Sequence, residues 1–283
     1  MLILAMMQIG YQYSSTGDFL NKGVSLKGGL VATIPSEYLN TEIIPAELED
    51  LITKDYSDYD INVKQITDAG SQMAVIIEAS VSEKDKTDEF VKYLESKLNV
   101  ESSNFNVEIT GSALGKSFFR DTLFALLLAF VFMGIVVFLY FRTLVPSIAV
   151  MLAAFSDMII TLAIVNLMGI KLGTAGIVAF LLLIGYSVDT DILLTVRVLK
   201  RKEGHYMDRV FSSIKTGLTM NLTTLAAVVV ALLISKSEII TQIMTILLIG
   251  LVIDSINTWI QNVGILRLYM EYKEKKAKKN VTN

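Results

Sequence analysis

Five stretches of this chain stay apolar over lengths that soluble helices do not need. Residues 122–141 carry no charge, 143–170 carry only Asp157, 172–196 only Asp189 and Asp191, 216–235 none, and 239–266 only Asp254. Each reaches the ~20 residues an α-helix needs to cross ~30 Å of hydrocarbon. The pattern predicts membrane-spanning helices at about 121–141, 145–168, 173–196, 216–235 and 239–266. Residues 1–13 are also apolar but too short to span alone. They lack the basic segment and the Ala-x-Ala site of a signal peptide. Residues 1–17 therefore read as the remnant of a first transmembrane helix, truncated here, and the bundle is expected to have six helices.

A different periodicity fills residues 18–119. The spacing predicts a strand over 25–34 and a helix over 45–54 with Pro45 in its first turn. Strands follow over 59–67 and 73–81, joined by a turn at Asp68-Ala69-Gly70-Ser71. Phe90, Val91, Leu94 and Leu98 lie at helical spacing within 85–98, and a last strand covers 105–109. The order β-α-β-β-α-β predicts an α+β domain of ferredoxin-like type, and ~100 residues suffice for one compact core. Residues 120–283 then hold the five complete spans with a basic loop and tail.

Composition agrees with a membrane protein: 53% of the 283 residues are hydrophobic. The net charge of −3 hides an asymmetry. Residues 18–119 hold 18 Asp/Glu against 9 Lys, a balance of −9, while the rest holds 10 acidic and 16 basic residues, a balance of +6. Neither part interleaves basic and aromatic residues as nucleic-acid binders do, so nucleic acid is not an expected partner. Cysteine is absent, which excludes disulfides and thiolate metal sites. The one histidine, His205, sits in a charged stretch and reads as a solvated loop residue. No metal or cofactor is expected.

Basic residues orient the chain. The loop with Arg197, Lys200, Arg201, Lys202, Arg209 and Lys215 and the tail from Arg267 to Lys279 are expected in the cytoplasm, with the turn at Arg142. The turns at Lys171 and Lys236 and the acidic domain 18–119 then fall on the extracytoplasmic side, where that acidity keeps the domain soluble.

The candidate chemistry lies in the carboxylates within the spans. An ionised carboxylate at bilayer depth costs about 3 kcal/mol on insertion scales, so Asp157, Asp189, Asp191 and Asp254 are candidate ion-coupling residues. Asp189 and Asp191 are ~200° apart on a helix and cannot face one narrow path. Gly185 shares a face with Asp189, and Ser187 and Thr195 share one with Asp191. Asn221, Thr223, Thr224 and Asn257 extend the candidate set into a polar seam. Neutral groups would join helices more cheaply, which favours a working role for at least one Asp over mere helix adhesion. Arg197, two turns beyond Asp189, joins the candidates, although anchoring at the cytoplasmic boundary by snorkelling is the favoured account of it.

Three stretches carry a resemblance. Gly23-Val24-Ser25-Leu26-Lys27-Gly28-Gly29 is similar to the glycine motif that follows the first helix in SecD and SecF proteins. Ser156-Asp157 with Thr161-Leu162 resembles their third-helix His-Asp motif, with Ser in place of His. Gly185-Tyr186-Ser187-Val188 through Arg197 resembles the fourth-helix signature, and Asn221-Leu222-Thr223-Thr224-Leu225 is a weaker match in the fifth. The chain thus resembles the SecF family in its archaeal form. The resemblance implies an accessory subunit of protein export in the cell membrane, partnered by SecD, the Sec translocon channel, the exported polypeptide and membrane lipid, and coupled to an ion gradient. The bacterial signature reads Gly-Tyr-Ser-Val-Asn-Asp-Thr, so Thr190 stands at the bacterial Asp position, flanked by Asp189 and Asp191. Lys215 and Thr216 lie where the bacterial fifth helix has an Arg.

Two other functions fit parts of the pattern. A half-transporter of the same exporter superfamily, moving a small molecule, would have the same helices and a different partner. An intramembrane aspartyl protease needs paired Asp residues and a Gly-x-Gly-Asp signature, which the chain lacks. The expected protein is not an enzyme.

Overall fold

The computed structural model describes residues 1–39, 41–68, 71–81, 83–200, 206–235 and 237–282. Ala69 and Gly70 of the expected turn, Arg201, Lys202 and His205 of the basic loop, and Lys236 lie outside the described residues.

The apolar runs become helices α5 (Ser112–Phe141), α6 (Leu144–Leu167), α7 (Thr174–Lys200), α8 (Tyr206–Ile234) and α9 (Glu238–Asn257), the last continuing through a π-helical turn (Thr258–Asn262) into α10 (Val263–Thr282). Five of these spans are long and apolar enough to cross a membrane. A shorter helix, α1 (Leu2–Thr16), precedes them and packs on α6. α9 is central, touching α6, α7 and α8. α5 lies at the periphery and exposes most of its side chains, as lipid contact requires. It ends at Arg142 in the left-handed conformation (φ 53°), which caps the helix for the tight turn into α6.

The α/β part holds β1 (Gly29–Pro35), α3 (Pro45–Asp55), β2 (Ile61–Asp68), β3 (Ser71–Ala79), α4 (Lys84–Leu98) and β4 (Asn106–Thr110). All strand pairs are antiparallel, in the order β2-β3-β1-β4. Leu30, Ala32 and Ile34 alternate onto one face of β1 and are fully buried with Val75, Ile77, Ile52, Phe90 and Leu94. α3 starts at Pro45, whose fixed φ suits a first turn. α4 stops at Asn99, which takes φ 53°.

The expected strand over 25–34 is corrected. Residues Val24–Lys27 form a short helix, α2, and the strand begins only at Gly29. Gly28 (φ +89°) and Gly29 (φ +150°) turn the chain in a way side-chain-bearing residues resist. A Cβ at Gly28 would run into the backbone of Ser112, and one at Gly115 would lie 2.8 Å from the Gly28 nitrogen. The glycines thus let α2 and the start of α5 meet backbone to backbone.

The α/β part is stitched to the α6–α7 turn. Gly23 N–H donates to Leu172 O (2.8 Å) and Leu172 N–H to Asn21 O (2.6 Å). Asn21 N–H donates to Asn166 Oδ1 (3.2 Å), and Asn166 Nδ2 donates to Phe19 O (3.0 Å). Lys171 Nζ donates to Asp60 Oδ1 at 2.7 Å, while Lys27 Nζ reaches Asp60 Oδ2 at 3.0 Å. Burial pushes the Asp60 carboxyl up, but the two lysines outweigh it and hold it below the usual carboxylate range.

Candidate functional site

Three of the four carboxylates converge. Asp157 of α6, Asp191 of α7 and Asp254 of α9 are each 0% exposed, at helix positions that the packing of α9 against α6, α7 and α8 brings to one seam. Ser187 Oγ donates to Asp157 Oδ2 (2.5 Å) and Asn257 Nδ2 to Asp157 Oδ1 (2.7 Å). Asn262 Nδ2 donates to Asp191 Oδ1 at 2.7 Å, and Thr258 Oγ1 to the same oxygen at 3.1 Å. Asn221 Nδ2 of α8 lies 3.4 Å from Asp254 Oδ2 and 2.6 Å from Ser255 Oγ, while its own Oδ1 accepts from Tyr186 Oη at 2.8 Å. Asp191 Oδ2 has no hydrogen-bond partner among the described residues, nor do the buried hydroxyls of Thr190 and Thr195. No lysine or arginine pairs with any of the three carboxylates among the described residues. Their donors are all neutral.

The π turn makes this arrangement possible. Val263 N–H donates to Thr258 O, a bond to the fifth residue back. In a regular helix Asn262, eight residues after Asp254, would stand ~80° away from it. The wider turn takes up that excess and returns Asn262 to the seam, the kind of local widening common at functional sites.

The remaining candidates go elsewhere. Asp189 is exposed on the opposite face of α7. Arg197 reaches across to α8, its Nη1 donating to Ser212 O (2.6 Å) and Thr216 Oγ1 (2.8 Å). Thr223 and Thr224 turn back to their own helix, donating to Thr219 O and Met220 O; Thr224 also meets the Tyr186 hydroxyl that bonds Asn221. Thr258 and Asn262 escaped the sequence reading. The signal was present: six of the nine residues from Asp254 to Asn262 are polar within an otherwise apolar span. Glycine supplies the close packing. At Gly250, one turn before Asp254, a Cβ would lie 2.6 Å from both methyl carbons of Leu183. Gly217 likewise leaves room for the Trp259 ring beside Thr190. No group of His, Cys, Asp and Glu among the described residues is arranged to hold a metal ion.

Known proteins resemble this chain over most of its length. A family model described as "Protein export membrane protein SecD/SecF, C-terminal" matches residues 90–272. The protein-export membrane protein SecF of Pyrococcus furiosus is 38% identical over 273 residues, covering 96% of this chain and 89% of its own. That of Methanocaldococcus jannaschii is 36% identical over 282 residues, covering 98% and 95%. Among solved structures, SecDF of Thermus thermophilus, described as a translocon-associated membrane protein, superposes with a TM-score of 0.70 at 20% identity. It covers 96% of this chain, which spans only 37% of that longer one. With the family model covering most of the chain and the relatives nearly all of it, this chain belongs to the SecD/SecF family of protein-export membrane proteins, on its SecF side.

Proposed function

We propose that this chain is an accessory subunit of Sec protein export in the cell membrane, that it works with SecD, and that the seam of Asp157, Asp191 and Asp254 couples its motion to an ion gradient. The observation that carries the reading is the convergence of three carboxylates from three helices at 0% exposure, with no cation paired to them among the described residues. Three fixed anions in one low-dielectric seam would repel one another strongly. A seam that takes up and releases protons avoids that penalty and changes its charge, and therefore its packing, with each event. Asp191 is the natural point of exchange, since its Oδ2 has no partner to give up. Asn221, Asn257, Thr258 and Asn262 orient the carboxylates.

In this reading α1 is the first of six helices, and the α/β part is a ferredoxin-like domain on the extracytoplasmic side; its strand order supports that fold. The basic residues after α7 and in α10 support a cytoplasmic loop and tail. The α6–α7 turn, bonded to Asp60, Asn21 and Gly23, lies between the seam helices and the domain that would meet exported polypeptide beside the translocon channel. Asp191→Asn keeps the shape and removes the titratable group. It is expected to assemble with SecD and to lower gradient-driven export at least tenfold in reconstituted vesicles. Wild-type export from this variant would remove Asp191 from the mechanism.

A further inference from the structure

A cavity of about 310 Å³ lies among α1, α5, α6 and α7. All thirteen residues that line it are apolar, among them Ile9, Phe119, Leu123, Met158, Leu162 and Phe180. Water needs two to four polar partners and finds none on such a wall; an apolar cavity of about 150 Å³, half this size, stays dry and binds benzene or xenon. The cavity is also long. It runs from Leu172 in the α6–α7 turn down to Phe155, which lies twelve residues before Leu167, the end of α6. Twelve residues of helix measure about 18 Å. Phe155 is 37% exposed, so the cavity is reached from outside the bundle, at a depth where the surroundings are hydrocarbon.

α1 and α5 both pack on α6, and each contributes side chains to the cavity wall. A helix 10–12 Å across would need several times this volume over the same length, so no membrane helix fits. A single hydrocarbon chain does fit, and lipid chains are the solvent of these helices. The end of the cavity nearest the α/β part is ringed by cations. Lys22 Nζ stands 4.5 Å from the centre of the Phe119 ring and pairs with Asp18. Arg120 pairs with Asp121. Lys116 is exposed and makes no hydrogen bond or ion pair among the described residues. It stands seven residues before Leu123, about 20° away around α5 and about 10 Å along it, so it lies above the cavity wall. Of these three cations it is the one whose charge is unmatched, and it sits where the apolar run of α5 meets water. A phosphate would match it.

We propose that this cavity binds one membrane phospholipid, with a hydrocarbon chain along the slot and an anionic headgroup at Lys116. The chain fills the space that α1 and α5 share on α6. It lies beneath Phe19 and Leu20, which line the cavity and lead from α1 into the α/β part. The lipid is thus a structural member of the joint between the spanning helices and that part. None of the polar groups of the carboxylate seam lines the cavity, so the site stands whether or not the seam exchanges protons.

Native mass spectrometry of the purified full chain tests this. The protein is stripped of lipid in detergent and reloaded with phosphatidylglycerol or phosphatidylcholine. Wild type is expected to retain one phosphatidylglycerol, with a preference of about fivefold over phosphatidylcholine, the worth of one lysine beside an anionic lipid. Leu126 lines the cavity from α5, and Leu126→Trp fills the slot, so this variant is expected to retain no lipid there. Leu128 lies on the exposed side of the same helix, and Leu128→Trp is expected to bind as wild type does. Lys116→Ala is expected to keep a bound lipid and lose the preference. In a thermal melt, added phosphatidylglycerol should raise the midpoint of stripped wild type and leave that of Leu126→Trp unchanged. Undiminished retention by Leu126→Trp, equal loss from Leu128→Trp, or no preference in wild type would overturn the proposal. Should Leu126→Trp fail to fold, Lys116→Ala, altered only at an exposed side chain, decides: an unchanged preference would refute the headgroup site.

Discussion

Replacing Asp157 separates what the seam contributes as structure from what it contributes as charge. Its two oxygens accept from Ser187 Oγ at 2.5 Å and Asn257 Nδ2 at 2.7 Å, and the side chain is fully buried. Asparagine preserves the shape. Its oxygen accepts from Asn257, and its amide donates to the Ser187 hydroxyl, which rotates to accept. No polar group is stranded, so the fold is expected to change by less than ~0.5 kcal/mol. Leucine leaves both donors without partners. A stranded buried group costs about 1–3 kcal/mol in soluble proteins, while hydrogen bonds between membrane helices average about 0.6 kcal/mol. The Ser187 hydroxyl can turn back to a carbonyl of its own helix, so the expected loss for Asp157→Leu is about 1–3 kcal/mol. Unfolding of the purified protein in detergent measures both variants, and gradient-driven export in vesicles measures function. The expected result is Asp157→Asn folded but at least tenfold slower in export, and Asp157→Leu deficient in both. Wild-type export from the asparagine variant would show that the charge is idle. Equal destabilisation by asparagine and leucine would refute the hydrogen-bond geometry.

Other consequences are as direct. The Asp60 carboxyl is held low by Lys171 and Lys27. Its contribution is therefore fully present above the ordinary carboxylate pKa of about 4 and is lost as pH falls through the lower folded value. Because the side chain is 43% exposed, the gain is no more than about 1 kcal/mol. The thermal stability gap between wild type and Asp60→Asn is expected to shrink as pH falls below about 4; a gap that widens on acidification would contradict the ion pairs. Gly250→Ala pushes a methyl against buried Leu183, with an expected loss of about 1–3 kcal/mol. Adding Leu183→Ala should return part of that loss in a double-mutant cycle, and strict additivity would disprove the contact. Gly28→Ala, at φ +89° and against the Ser112 backbone, is expected to lose at least ~1–2 kcal/mol. Gly111→Ala, with nothing within 4 Å, should stay near neutral in the same melt, and the reverse ranking would argue against the close α2–α5 approach.

The membrane spans, the order of strands and helices between residues 29 and 110, and the carboxylates within the apolar runs were all legible from the chain alone. These features are local: a helix or strand repeats its apolar positions every 3.6 or 2 residues, and a span announces itself by length. The ~200° between Asp189 and Asp191 was equally readable, because one helix contains both. Which of the two turns inward was not readable, since that depends on how α7 rotates against α6 and α9. Nor could local periodicity show that Asp157 and Asn257, 100 residues apart, would share a hydrogen bond. It could not reveal that Gly28 turns the expected strand aside to let α5 approach, or that a π turn would swing Asn262 back over Asp191. Helix packing selects partners by shape across the whole bundle, and a pattern measured along one helix contains no term for the neighbour it will meet.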